Sequence, residues 1–261
     1  MKKTIVEMLL ASEKRKNVLL FLQDGPKEME ALLKSLNTSR TGLLPQMKML
    51  KEGHLIYQHK DTYELTTIGK LISAEMTSFL RAVEMYGGNY DYLGIHNIDF
   101  IPAHLLKRLP EIGLCNIIES PMCDIFDPET DFIEKAIRSK YWFQVTSILY
   151  PSFHEFYMQM IDNNVDVSMV ISPQVYDKFK LDHYDDFKEI IDTKLISLYL
   201  YPKNLEFVSF ILADECINLK LLTQKNQYDQ KKMIICNPAT VEWGKELFEY
   251  YRKQSTLIIE I

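Results

Sequence analysis

The stretch LNTSRTGLLPQMKMLKEGHLI, residues 36–56, decides how the rest of the chain is read. Asn37, Thr38 and Ser39 form a polar turn whose side-chain oxygens can accept the free amide hydrogens of a helix start. Leu43, Met47 and Leu50 then recur at i, i+4 and i+7. That spacing predicts a helix over about Ser39–Glu52 with those three residues on its inner face. Arg40, Thr41, Gln46 and Lys48 fall largely off the stripe, and Ser39 stands at the leading end. Gly53 is expected to stop the helix as its C-cap. Pro45 lacks an amide hydrogen, so it either kinks the helix or moves its start later.

Upstream, Ile5, Met8 and Leu9, then Val18, Leu19 and Leu22, predict one or two helical segments ending at Asp24-Gly25-Pro26. A short helix over about Lys27–Leu36 follows, with Met29, Leu32, Leu33 and Leu36 as its buried stripe. Downstream the period changes to two. Residues 55–58, a turn at His59-Lys60-Asp61, and residues 62–65 read as a short β-hairpin. Thr66 or Thr67 caps another helix through Ile68, Leu71 and Ile72. Helix, helix, turn, helix, hairpin, helix is the order of a winged helix-turn-helix. In that motif the second helix of the pair enters the major groove and the hairpin reaches the flanking backbone.

The donor types then suggest roles. Arg40 suits a guanine edge and Gln46 an adenine. Ser39, Thr41, Lys48 and Lys60 suit phosphates, with His59 beside Lys60 at the tip of the wing. So few cations predict weak binding by one copy and a shallow salt dependence. Two heads on paired half-sites correct this, so a homodimer on double-stranded DNA is expected. The helix continuing through Leu71, Ile72, Met76, Phe79, Leu80 and Val83 is either the dimer seam or packs on its own chain.

Composition sets the frame. A chain of 261 residues with 47% hydrophobic and 25% charged residues is expected to be globular, with two domains. No apolar run is long enough to span a membrane, and Glu7 interrupts the apolar stretch after Lys2-Lys3. A cytoplasmic protein is therefore expected. The net charge is −6, yet residues 1–75 hold 12 Lys+Arg against 9 Asp+Glu. A mildly basic head on an acidic body fits a DNA-binding module joined to a different unit. Cys115, Cys123, Cys216 and Cys236 form no C-x-x-C pair, and are expected to be reduced, buried apolar residues.

Gly87-Gly88-Asn89 marks a boundary. The expected division is 1–75 as the winged helix, 76–88 as connecting helix and linker, and 89–261 as the second domain. Beyond the boundary, strands are expected over 116–119, 141–149, 165–171, 195–201, 207–213, 216–222 and 233–236. Helices are expected over 132–140, 153–162, 184–193 and 239–253. Alternation first and adjacent strands later imply a mixed α/β sheet, so the whole chain reads as an α+β two-domain protein.

Enzyme signatures are absent: there is no G-x-S-x-G, phosphate loop, G-x-G-x-x-G or H-E-x-x-H. His96, His104, His154 and His183 are too scattered for a metal site. Asp182-His183-Tyr184-Asp185-Asp186 reads as an acidic helix start rather than a cation site. No catalytic residue, metal or cofactor is expected. The competing reading is a small-molecule binder or enzyme whose winged helix serves only protein interaction.

Several segments carry a family resemblance. They are Ser12-Glu13-Lys14-Arg15, Leu65-Thr66 with Ile68-Gly69, and Trp243-Gly244 with Leu247-Phe248 and Tyr250-Tyr251. The chain resembles archaeal winged-helix transcriptional regulators whose second part is the methanogenesis regulatory protein middle domain. The resemblance implies a sequence-specific regulator with an effector domain that answers to a ligand or partner, such as a small molecule. It also implies a phospholipase D-like fold for that domain. The paired H-x-K-x-x-x-x-D motifs of phospholipase D are missing, so the resemblance implies the fold without its catalysis.

Overall fold

The computed structural model describes residues 4–113, 115–119 and 134–260. Cys123 and the first part of the helix expected over 132–140 lie outside them. Two compact units divide between Val83 and Glu84. Among the described residues no helix is long and apolar enough to cross a membrane.

The first unit opens with α1 (Ile5–Leu10) and α2 (Glu13–Phe21). Thr4 and Glu7 cap α1 reciprocally, and Ser12 accepts the Arg15 amide at the start of α2. Gly25, at φ 109°, supplies a turn that a side chain would strain. The chain then differs from the expected helix over Lys27–Leu36. Lys27–Glu28 is a short strand, β1, and α3 begins only at Met29 and runs to Ser35. Two residues are too few to show a period, and β1 exists because β3 is there to pair with it.

α4 spans Arg40–Glu52, with Ser39 as its N-cap. Pro45 neither breaks it nor delays its start. The missing amide would have bonded the Thr41 carbonyl on the exposed side, where water can replace it. Gly53 is not a left-handed cap. Its φ is −80°, and the left-handed residue is His54 at φ 57°. Gly53 instead lies close under the tip of Met8, whose Cε would stand 2.6 Å from an added Cβ and would have to swing aside.

The hairpin joins β2 (Ile56–His59) to β3 (Thr62–Leu65) through Lys60, left-handed at φ 57°, and Asp61. Sheet order is β1-β3-β2, antiparallel throughout. α5 then runs unbroken from Thr67 to Gly87, capped by Thr66, which accepts the Gly69 amide at 2.9 Å. Ile72, Met76 and Leu80 pack on the core of this unit with Val18, Leu32 and Met47, whereas Leu71, Phe79 and Val83 stay exposed.

Gly69 of the Ile68-Gly69 motif has a specific steric role: an added Cβ would sit 2.0 Å from the backbone oxygen of Leu55. Backbone cannot yield as a side-chain tip can, so Gly69→Ala is expected to cost about 3 kcal/mol. Urea unfolding of the full chain checks this, and a midpoint equal to wild type would contradict the packing.

The second unit contains α6 (Tyr90–Leu93), α7 (Ala103–Arg108) and β4 (Asn116–Glu119). Then come β5 (Tyr141–Thr146), α8 (Phe153–Asp162), β6 (Asp166–Ile171), α9 (Pro173–Asp182), α10 (Tyr184–Thr193) and β7 (Ile196–Leu200). The chain ends with β8 (Ser209–Ala213), β9 (Cys216–Lys220), β10 (Lys231–Cys236), α11 (Ala239–Arg252) and β11 (Thr256–Leu257). Among the described residues, eight strands form one mixed sheet, ordered β11-β7-β6-β5-β8-β9-β10-β4. Its pairs β5–β6 and β6–β7 are parallel and the others antiparallel.

Alternate residues serve opposite faces of the sheet. Trp142, Val167, Met169 and Leu198 pack under Phe153, Phe179 and Phe187 of α8, α9 and α10. Val145, Phe210, Leu212 and Ile217 pack under Trp243, Leu247 and Phe248 of α11. Trp243 donates its ring N–H to the Leu105 carbonyl at 2.9 Å. Gly244 lets α11 settle onto the sheet, because a Cβ there would meet Leu212 at 2.9 Å. Both residues belong to the Trp243-Gly244 segment.

The expectation of reduced cysteines fails at one pair. Cys216 and Cys236 face each other across β9 and β10 and are joined in a disulfide, with Cα atoms 4.1 Å apart. Cys115 is a buried free thiol, and burial pushes its pKa up.

Candidate nucleic-acid interface

α4 meets the β2–β3 hairpin at one exposed surface. Leu43, Met47 and Leu50 hold the helix on the core, which turns Arg40, Thr41, Leu44, Pro45, Lys48 and Lys51 outward. Ser39 is exposed, but its hydroxyl is already engaged. It accepts the Gly42 amide at 3.3 Å and lies 3.0 Å from the Thr41 hydroxyl. Arg40 reaches the hairpin turn, where Nη2 stands 2.8 Å from Oδ1 of Asp61. Both side chains are more than half exposed, at 57% and 54%, so the pair adds little stability and mainly orients the guanidinium. Lys51 donates to Gln58 of β2 at 2.9 Å, a second tie between helix and hairpin.

Lys48 points outward and keeps only a loose 3.9 Å contact with Glu52. His59 and Lys60 are exposed at the hairpin tip, where the Lys60 carbonyl accepts from the Gln58 amide at 2.6 Å. Beneath them Tyr63 is buried, and burial followed by the Asp61 charge raises its phenol pKa.

Gln46 is placed otherwise. Its carbonyl oxygen accepts from Arg15 Nη1 at 2.6 Å and lies 3.4 Å from the Ser12 hydroxyl, so it faces α2. Arg15 itself is only 4% exposed. Its Nε donates to the Met8 carbonyl at the end of α1, and Nη1 also approaches the Met49 sulfur. One buried guanidinium thus ties α1, α2 and α4 together. The oxygen that an adenine amino group would need is committed to that tie.

Two cations were missing from the set read from sequence. Lys51 shares the outer face of α4. Lys14 comes from α2 and carries its ammonium over the first turn of α4, 3.0 Å from where a Gly42 Cβ would be. Spacing inside α4 shows Lys51, which falls at i+3 from Lys48. No pattern within α4 can show Lys14.

The chain matches two family descriptions. Residues 3–84 match the methanogenesis regulatory protein FilR1 N-terminal domain, and residues 125–254 match the FilR1 middle domain. A curated relative, methanogenesis regulatory protein FilR1 of Methanothrix harundinacea (strain 6Ac), is 22% identical over 256 residues. That alignment covers 96% of this chain, and the chain spans 57% of the relative's length.

Among solved structures, TrmBL2, described as an archaeal chromatin protein with a novel mode of DNA binding, is 11% identical. It aligns over 94% of this chain and 92% of its own, with a TM-score of 0.44. A phospholipase D family member, Nuc from Salmonella typhimurium, is 15% identical over 56% of this chain and 98% of its own, with a TM-score of 0.42. Likenesses at that level decide nothing about function. The two family matches cover most of the chain in the expected order, and with the relative they place it: the chain belongs to the FilR1 methanogenesis regulatory protein family.

Proposed function

We propose that the chain is a sequence-specific DNA-binding regulator, acting as a homodimer in the cytoplasm, whose larger unit answers to a ligand or partner. The first unit serves as a winged helix, with residues 1–75 as the DNA-binding head, 76–88 as connector and 89–261 as the effector domain. The observation that carries this reading is the outward face of α4, set beside the hairpin turn with Arg40 oriented by Asp61. It gathers Lys14, Arg40, Lys48, Lys51 and Lys60 on one side of an otherwise acidic protein. Arg40 is the base reader. Ser39, Thr41, Lys48, His59 and Lys60 contact the backbone. Gln46 acts indirectly, by fixing the helix on Arg15.

The dimer is supported by apolar surface in two places. Leu71, Phe79 and Val83 line the outer side of α5, and Ile5, Val6 and Leu10 are exposed on α1. Exposed apolar residues at helical spacing are the kind of surface a second copy covers.

Selection of bound duplexes from a random pool at about 100 mM salt supplies the test DNA. On the selected duplex, Arg40→Ala is expected to weaken binding roughly 10- to 100-fold and to flatten discrimination at one base pair. Lys48→Ala is expected to weaken all duplexes alike and to reduce the salt slope by about one. Fluorescence anisotropy titration separates the two outcomes. Indifference to both substitutions removes the assignment.

A further inference from the structure

Polar groups collect on one face of the large sheet, at the carboxyl end of β5. Thr146 pairs with Ser209, and Ser209 with Lys220. The register that sets Met233 against Leu219 puts Lys232 opposite Lys220. These four residues therefore form a row across β5, β8, β9 and β10, all on the α8 side of the sheet. Ser209 and Lys232 are buried, at 2% and 5% exposure, which is unusual for a lysine.

Tyr150 follows β5 and joins both lysines. The Lys220 ammonium donates to its hydroxyl at 2.7 Å, and the Lys232 charge also acts on it. Burial pushes the Tyr150 phenol up to about 12, so it keeps its proton near neutrality. Having accepted from Lys220, the hydroxyl has that proton to donate onward.

One row along the same face lies Asn218, between Ile211 and Ile234. It is 8% exposed, and its Oδ1 has no hydrogen-bond partner among the described residues. A buried acceptor left unsatisfied is costly, and calls for a donor from outside the chain. Two ammonium groups and a phenol suit an oxyanion; the amide oxygen suits a hydroxyl or amine. The carboxyl end of a parallel strand, where the neighbouring strand order reverses, is also where open α/β sheets take small ligands.

We propose that Lys220, Lys232, Tyr150 and Asn218 bind a small molecule bearing a phosphate, sulfonate or carboxylate and, beside it, a hydroxyl or amine. This deepens the reading of the larger unit as a ligand sensor, and rests on that reading for any effect on DNA binding.

The test uses the full chain and inorganic phosphate as the probe. Thermal unfolding is followed in sodium phosphate and in sodium chloride at matched ionic strength, for wild type, Lys220→Met and Lys232→Met. Wild type is expected to melt several degrees higher in phosphate, and each variant to keep about a third of that gain or less. Equal gains in all three proteins, which is general salting by phosphate, or no gain in wild type, would overturn the site. Should Lys232→Met not fold, Lys220→Met, at a half-buried position, decides alone. Duplex binding with and without phosphate separates the two readings. A lysine-dependent gain with unchanged DNA affinity keeps the site and removes sensing. No gain alongside intact duplex binding removes the site and keeps the regulator.

Discussion

Arg15→Ala is expected to be among the most damaging single substitutions in the first unit, lowering its stability by about 2–5 kcal/mol. The guanidinium is buried and serves three partners at once: the Met8 carbonyl, the Gln46 amide oxygen and the Met49 sulfur. Truncation takes the guanidinium donor from the Met8 carbonyl, leaves the Gln46 oxygen only the Ser12 hydroxyl at 3.4 Å, and opens a void where three helices meet. For a unit of this size the melting point should fall by roughly 8–40 °C. Arg15→Lys should recover less than half of the loss, because one ammonium cannot reproduce the fork. Calorimetry of the full chain measures both. A drop of under 1 kcal/mol in Arg15→Ala would mean that the three helices hold their angle without the tie. DNA affinity should fall together with stability, since α4 then loses the contact that sets its roll.

Opening the Cys216–Cys236 bond is expected to remove roughly 3 kcal/mol from the second unit, the value for a cross-link closing a loop of about twenty residues. Cys236 is exposed, so a dithiol reductant can reach it. Urea unfolding with and without reductant measures the loss. The Cys216→Ser, Cys236→Ser double variant should match the reduced protein and should not respond to reductant. Identical midpoints for oxidised and reduced wild type would show that the strand pairing, which contributes its own hydrogen bonds, is sufficient. Cytoplasmic thiol pools keep most cysteines reduced, so the higher stability belongs only to the oxidised form.

Neither the Arg15 tie nor the Cys216–Cys236 bond is legible in the sequence, whereas elements with a regular apolar pattern are. Elements with a strong apolar period were legible to the residue: α8 and α10 begin and end where their stripes do, and β4 is the apolar pair Ile117-Ile118 between polar ends. α9 escaped notice because only Val175 and Phe179 among its ten residues are buried. Its start was nonetheless written in Ser172, which caps Val175 at 3.3 Å, and in Pro173 at the first helical position.

At the candidate interface Ser39, Arg40, Thr41 and Lys48 could be placed by counting from Leu43, Met47 and Leu50. The same count, applied strictly, puts Gln46 on the inner face, at i+3 from Leu43 and four before Leu50. A polar residue there makes sense only once Arg15 is known to be buried beside it, which is a tertiary fact. The Cys216–Cys236 bond depends in the same way on the register of β9 against β10. Short-range spacing reports faces and caps; it carries no information about which distant residue stands opposite.

The edge position of β4 has a consequence for how the protein is made. Its partner β10 lies more than a hundred residues later, with Asn116 opposite Ile234. At ribosomal speed β4 leaves the exit tunnel on the order of ten seconds before it has anything to pair with. Unpaired strands of that kind invite association between nascent chains. Only two of its residues are strongly apolar, and the flanking Asn116 and Glu119 stay wet, so the waiting strand offers little for another copy to grip.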